Sequence, residues 1–221
     1  MNQVAGKPGN ASNPSAGRQT NGPQAGQPAG LDSLFAALGP VGDADGPAPP
    51  RPVDKWNPEF CGDINMRIAA DGTWFYMGTP IGRHALVKLF ASILRKDPER
   101  YVLVTPVERV GIQVEDAPFI AVEMAMQGAG DSQSISFRTN VDDVVQVGPD
   151  HPLRFERDAE GGLKPYVRVR GDLWALVKRA LMYDLAELGV EQPAADGGEA
   201  QFGVRSNGGF FPMARVSELA V

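Results

Sequence analysis

The chain reads as an α+β protein: two tandem strand–strand–helix–strand halves with mainly antiparallel sheets, preceded by a disordered N-terminal tail. Three observations predict this. A strand–turn–strand pattern followed by a helical stripe occurs twice, about ninety residues apart. Further alternating strands follow each stripe. Residues 1–54 are built almost entirely from Gly, Pro, Ala, Asn, Gln and Ser, too apolar-poor to offset the entropy of ordering them. The expected divisions are a Gly/Pro/Ala-rich tail over 1–54, an N-terminal half over 55–148 and a C-terminal half over 149–221.

In the first half, alternation from Ile64 to Ala69 and from Thr73 to Met77 flanks Asp71-Gly72, a strong hairpin signal. Gly78, Pro80 and Gly82 then break the chain. A helix is predicted from about Arg83 to Lys96, with Leu86, Leu89, Phe90 and Ile93 on one face and Asp97-Pro98 as its stop. In the second half, Leu153–Arg157 and Lys164–Arg170 flank Glu160-Gly161-Gly162. Asp172 is placed to cap a helix striped by Leu173, Val177, Leu181, Leu185 and Leu188 and ended by Gly189. The ninety-residue offset sets Gly72 on Gly162, Tyr76 on Tyr166, and Leu86-Val87-Lys88 on Leu176-Val177-Lys178, which argues for internal duplication. Strands are also predicted at Tyr101–Thr105, Val107–Val114, Phe119–Met126, Ser134–Arg138, Gln201–Val204 and Gly209–Val216.

Composition narrows the function. With 43% hydrophobic and 22% charged residues the chain is of globular type. A net charge of −6, of which −5 lies beyond residue 54, argues against a nucleic-acid partner. No run approaches the length of a membrane span, residues 1–30 have no apolar core for secretion, and a lone cysteine, Cys61, fits a reducing compartment. A cytoplasmic protein is expected. Within the tail, Leu31, Leu34, Phe35 and Leu38 form one helical stripe closed by Gly39-Pro40. Two readings are open there: a docking peptide for its own domain or a protein partner, or a transient helix in a linker.

Motifs of chemistry are scarce. The sequence has no phosphate-binding Gly-x-x-x-x-Gly-Lys loop, no Gly-x-Ser-x-Gly elbow and no His-Glu-x-x-His helix, so the reading leans away from an enzyme. His84 and His151 are expected to be solvated or capping, and Cys61 to pack in the core. Glu108, Glu115 and Asp116 could bind a metal or serve as a base, but Asp116 is expected instead to stabilise the turn before Pro118. The strand over 164–170 is the richest feature. Alternation places Lys164, Tyr166, Arg168 and Arg170 on one face, an arrangement suited to phosphate charge and base stacking, or to a solvated sheet face. At the ninety-residue offset Trp74 and Tyr76 would oppose these cations across a cleft, with Arg83 as a further cation.

The runs Trp56-Asn57-Pro58, Cys61-Gly62-Asp63-Ile64, Asp71-Gly72-Thr73-Trp74-Phe75-Tyr76 and Gly78-Thr79-Pro80-Ile81-Gly82-Arg83 resemble the bacterial family called domain of unknown function 1285. So do Val104-Thr105-Pro106-Val107-Glu108, Val114-Glu115-Asp116-Ala117-Pro118-Phe119, Arg138-Thr139-Asn140 and Gly208-Gly209-Phe210-Phe211-Pro212. Asn65 replaces an expected acidic residue and Arg205 an expected aromatic one. The resemblance implies an internally duplicated two-part fold, the second part superficially like a pleckstrin-homology domain. It also implies a nucleotide-like ligand bound between the parts and a signalling role. No catalytic residue and no known cofactor come with it. Thr105, Glu108, Arg109 and Asn140 join the candidate ligand site through its motifs. The expected function is thus a regulatory protein holding an anionic small molecule; the alternative is an interaction module without one.

Overall fold

The Asp71-Gly72 signal produces the turn it predicts. Gly72 takes φ +84, and the Asp71 carboxylate accepts the Thr73 N–H at 2.9 Å, which holds its pKa below the usual value. Around this turn β1 (Phe60–Ile68) pairs antiparallel with β2 (Trp74–Tyr76), and β3 (Thr79–Pro80) adds to β2. A computed structural model of the chain describes Leu34, Ala36, Leu38, residues 51–193 and residues 197–219.

Helix α1 (His84–Ser92) begins where expected but ends a turn early, because Leu94–Asp97 is a strand, β4. Arg95 explains the change. Its guanidinium donates to Asp97 and to the carbonyls of Val53 and Trp56, contacts made from an extended segment paired with β5 (Arg100–Val104). β6 (Arg109–Val114) then returns beside β5 and lies parallel to β1. The six strands run in the order β3-β2-β1-β6-β5-β4.

The second sheet contains β7 (Phe119–Gln127), β8 (Ser134–Thr139), β9 (Val144–Gln146), β10 (Leu153–Arg157), β11 (Leu163–Arg170) and β12 (Leu173–Val177). Its order is β10-β11-β12-β7-β8-β9, with β12 parallel to β7. Counted from its own first strand, this is the same order as the first sheet: third, second, first, sixth, fifth, fourth. The structural equivalence therefore pairs β1 with β7, and the sheets divide the chain within residues 115–118 rather than at 148–149. The ninety-residue offset instead matched the β1–β2 hairpin to β10–β11, which occupies the fourth and fifth positions. Hairpins share turn chemistry wherever they lie in a sheet, so local patterns alone do not separate them.

The expected helix after Asp172 is replaced at its start by β12, and α2 (Arg179–Glu187) follows. Pairing with β7 on one side and β11 on the other recruits Leu173–Val177 as a central strand. The chain ends in a three-stranded sheet of β13 (Val190–Gln192), β14 (Gln201–Ser206) and β15 (Gly209–Arg215). Buried residues of both large sheets form one continuous apolar cluster. Leu34 and Leu38 belong to it, at 0% and 9% exposure, and with Ala36 they are helical. These three residues are an exception to the disordered tail expected over 1–54, with Leu34 and Leu38 packed on their own domain; so are residues 51–54, where a 3-10 turn over Val53–Lys55 buries Val53. Leu31 and Phe35 lie outside the described residues. Among the described residues no helix is long and apolar enough to cross a membrane.

Candidate functional site

The outer face of β10–β12 follows from hairpin register. Arg154 stands opposite Tyr166, which stands opposite Leu176, and Arg168 stands opposite Trp174. Alternation thus gathers Arg154, Lys164, Tyr166, Arg168 and Trp174 on one face, while Val167, Val169 and Ala175 point into the core. The Arg154 guanidinium lies 4.3 Å from the Trp174 ring centroid and 5.0 Å from that of Tyr166. Lys164 Nζ lies 5.6 Å from the Tyr166 ring. These are cation–π distances.

The first domain meets this face through Asp116 in the β6–β7 loop. Tyr166 donates its hydroxyl to Asp116 Oδ1 at 2.7 Å, and Lys164 donates to Oδ2. The ammonium is held charged, its pKa above the ordinary amine value chiefly through that hydrogen bond to Asp116. Burial pushes the Tyr166 phenol up. Burial also pushes the Tyr101 phenol on β5 up. Lys96 sits 4.7 Å from the Tyr101 centroid.

A second junction centres on Asp142, in the β8–β9 turn at φ +67. Its carboxylate meets Lys88 at 3.2 Å and His84 at 3.4 Å from α1, and Arg138 at 2.6 Å. Burial opposes ionisation of Asp142, but hydrogen bonds from Lys88, His84 and Arg138 outweigh it and its pKa falls below the usual value. Arg138 also holds Glu123. Gly72 approaches the second domain so closely that a Cβ there would lie 2.6 Å from Ile120 Cγ1 and 2.9 Å from Asn140 Nδ2.

The residues singled out from sequence scatter over several environments. Trp74 is 1% exposed and stacks on Phe90 with centroids 6.3 Å apart, so it is core rather than a cleft wall. Tyr76 packs half-buried against the same core. Thr105 is buried and its hydroxyl accepts the N–H groups of Val107 and Glu108 at 3.3 and 3.2 Å, fixing the turn in which Glu108 is buried. Arg109 pairs with Asp97 at 3.2 Å beside a cavity of about 360 Å³ that includes Phe60 and Arg100. Asn140 Oδ1 accepts the Ile120 N–H at 3.0 Å and so splints β7 to β8. Arg83 is exposed ahead of α1.

On β11 the predicted face holds for Lys164, Tyr166 and Arg168, and Arg168 Nε donates to the Gly171 carbonyl at 2.8 Å. A bulge after Arg168 sets Arg170 opposite Leu173, and Arg170 pairs with Asp143 of its own domain and bridges to the first domain through the Ala91 carbonyl. Cys61 is exposed rather than packed in the core. Asp116 reaches across the junction instead of serving its local turn. Arg205 pairs with Asp131 at 2.9 Å on a cavity of about 300 Å³ lined also by Gln133, Gln192 and Phe210, away from β11. Sequence reasoning missed Arg154, Trp174 and Asp142. Arg154 was recoverable, since the Glu160-Gly161-Gly162 turn sets it opposite Tyr166, whereas Trp174 lies in a segment of helical spacing that pairs as β12.

Two six-stranded, mainly antiparallel sheets of one topology, joined through buried and half-buried charge, define a two-domain α+β protein. The chain belongs to the DUF1285 family: the family's N-terminal domain of unknown function matches residues 51–117 and its C-terminal domain residues 118–213. A crystal structure of a DUF1285 family protein from Silicibacter pomeroyi DSS-3 is 47% identical, with a TM-score of 0.76 over 87% of this chain and 98% of that one. A DUF1285 family protein from Shewanella baltica OS155 is 29% identical, with a TM-score of 0.45 over 56% of this chain and 91% of that one. No curated protein matches the chain.

Proposed function

We propose that this is a regulatory, signal-transducing protein of the cytosol that holds a nucleotide-like anion at the junction of its two domains and responds through the way they engage. The observation that carries the reading is the grouping of Arg154, Lys164 and Arg168 with Trp174 and the buried Tyr166 beside the interdomain residue Asp116. Guanidinium groups bind phosphate oxygens in bidentate fashion, and rings offer a stacking surface for a base. Occupancy shifts the balance of domain arrangements by whatever difference in affinity the ligand has for them.

We further read the two halves as products of one duplication, the second superficially pleckstrin-homology-like. The shared strand order supports this. The rival reading, an interaction module recruiting a partner through Leu31–Leu38, has less support, because Leu34 and Leu38 are already buried against this chain.

The test is thermal unfolding of the full chain against a panel of nucleotides and related phosphates. At ~100 times its dissociation constant a ligand stabilises by about 2.7 kcal/mol, a shift of roughly 5 °C or more for a chain of this size. The shift is expected to vanish in Arg154→Ala/Arg168→Ala. A flat panel sinks the nucleotide reading.

A further inference from the structure

A cavity of about 300 Å³ lies between one face of the terminal three-stranded sheet and the β7–β8 connection. Register builds its sheet side. Arg205 on β14 stands opposite Phe210 on β15, so both side chains rise from one face. Gly203, two residues before Arg205, has no side chain to fill that face, and the Phe210 ring lies over it: a Cβ there would fall 2.9 Å from Phe210 Cζ. The Arg205 guanidinium extends along the same face to β13, where Nη2 donates to Gln192 Oε1 at 3.0 Å. Its Nη1 donates to Asp131 Oδ1 in the β7–β8 connection at 2.9 Å. Gln133, from the same connection, donates its Nε2 to the Arg205 carbonyl at 2.7 Å. Ser206, Gly208 and Gly209, at the β14–β15 turn, complete the lining.

We propose that this cavity binds a free α-amino acid by its zwitterionic end. The lining carries one guanidinium and one carboxylate, so its formal charge cancels and favours neither a plain anion nor a plain cation. Its remaining hydrogen-bonding capacity is of both kinds. Arg205 commits two of its five N–H donors to the bonds above, and the Gln192 amide keeps its NH₂ group. On the accepting side stand Asp131 Oδ2 and Gln133 Oε1. Ser206 is already committed, because its buried hydroxyl donates to the Val147 carbonyl and accepts the Ile135 N–H. A cation and an anion 2.9 Å apart, Arg205 and Asp131, match a carboxylate and an ammonium carried on one carbon atom. The Asp131 side chain is 95% exposed, and an ion pair so open to water is weak. The ligand parts it and makes one pair with each member. The Phe210 ring then offers the ligand's side chain a stacking surface, which favours an aromatic amino acid.

The experiment is isothermal titration of the full chain with L-phenylalanine. Saturable binding is expected, with a dissociation constant on the order of 1 mM or tighter. Hydrocinnamate, which lacks the ammonium, and phenethylamine, which lacks the carboxylate, each bind about tenfold more weakly or not at all. Arg205→Gln and Asp131→Asn, on side chains 43% and 95% exposed, leave the circular dichroism spectrum unaltered and each weaken L-phenylalanine about tenfold. L-Alanine, which reaches the charged pair but not the ring, binds several-fold more weakly. Absence of saturable binding up to about 10 mM overturns the proposal. So does an affinity matched by either analogue, or one indifferent to either substitution. Equal affinity for L-alanine overturns the aromatic preference. The nucleotide reading is tested apart from this one, since Arg154→Ala/Arg168→Ala leaves the lining of this cavity intact and is expected to bind L-phenylalanine as the unaltered chain does.

Discussion

The two large sheets share one strand order but use the turn after their second strand differently. In the first sheet that turn holds Met77 at φ +50, with 63% of the residue exposed. In the second it holds Asp142 at φ +67, whose carboxylate gathers Lys88 and His84 from the other domain and Arg138 from its own. A left-handed backbone costs an ordinary L-residue roughly 1–2 kcal/mol. In one copy the cost has no visible return; in the other it aims a charge at the neighbouring domain. The topology supplies the turn, and the side chain decides whether it becomes a clamp.

Five measurements break or sharpen this contrast. Asp142→Ala removes the charge facing buried Lys88 and destabilises by about 3 kcal/mol, read by urea unfolding. Gly72→Ala combines φ +84 with a Cβ that meets Ile120 and Asn140 of the second domain, so about 2–3 kcal/mol is expected by the same assay. Asp116→Asn keeps an acceptor for Tyr166 but loses the charge opposite Lys164, for about 1 kcal/mol.

The fourth is a pH profile, which separates the two junctions by sign. The folded pKa of Asp142 is depressed, so its contribution is present above the ordinary Asp value and is lost as pH falls through the depressed one. Tyr166 and Lys164 have raised folded values. Their contribution is complete below the ordinary phenol and amine values, near 10 and 10.5, and is lost as pH rises through the raised ones. Acid therefore weakens the Asp142 junction and alkali the Asp116 junction. Asp142→Ala should flatten the acid limb of stability, and Asp116→Asn the alkaline limb. The smallest effect is Met77→Asn, expected to stabilise by about 0.5 kcal/mol or less because Asn tolerates the left-handed region.

Much of the local plan was legible. Both predicted hairpins form, β7 and β8 fall within a residue of their expected ends, and the β11 face presents Lys164, Tyr166 and Arg168 as alternation requires. The helix faces were read less well. Leu94–Asp97 and Leu173–Val177 carry helical spacing but serve as strands, since pairing with β5, and with β7 and β11, outweighs an intrinsic preference worth only tenths of a kcal/mol per residue. For the site, the cations were found and their surroundings were not. The aromatic partners are Tyr166 and Trp174, whereas Trp74 belongs to the core.

By itself the sequence determined turns, alternation and the family, because turn chemistry and side-chain period act within a few residues and are written in their order. Only the tertiary structure decided that β1 closes on β6 and β7 on β12. It also decided that Asp116 meets Lys164 and that Asp142 meets Lys88. Those choices depend on which surfaces pack together across 46 to 56 residues of chain, where burial of the whole core, not any local preference, sets which partner wins.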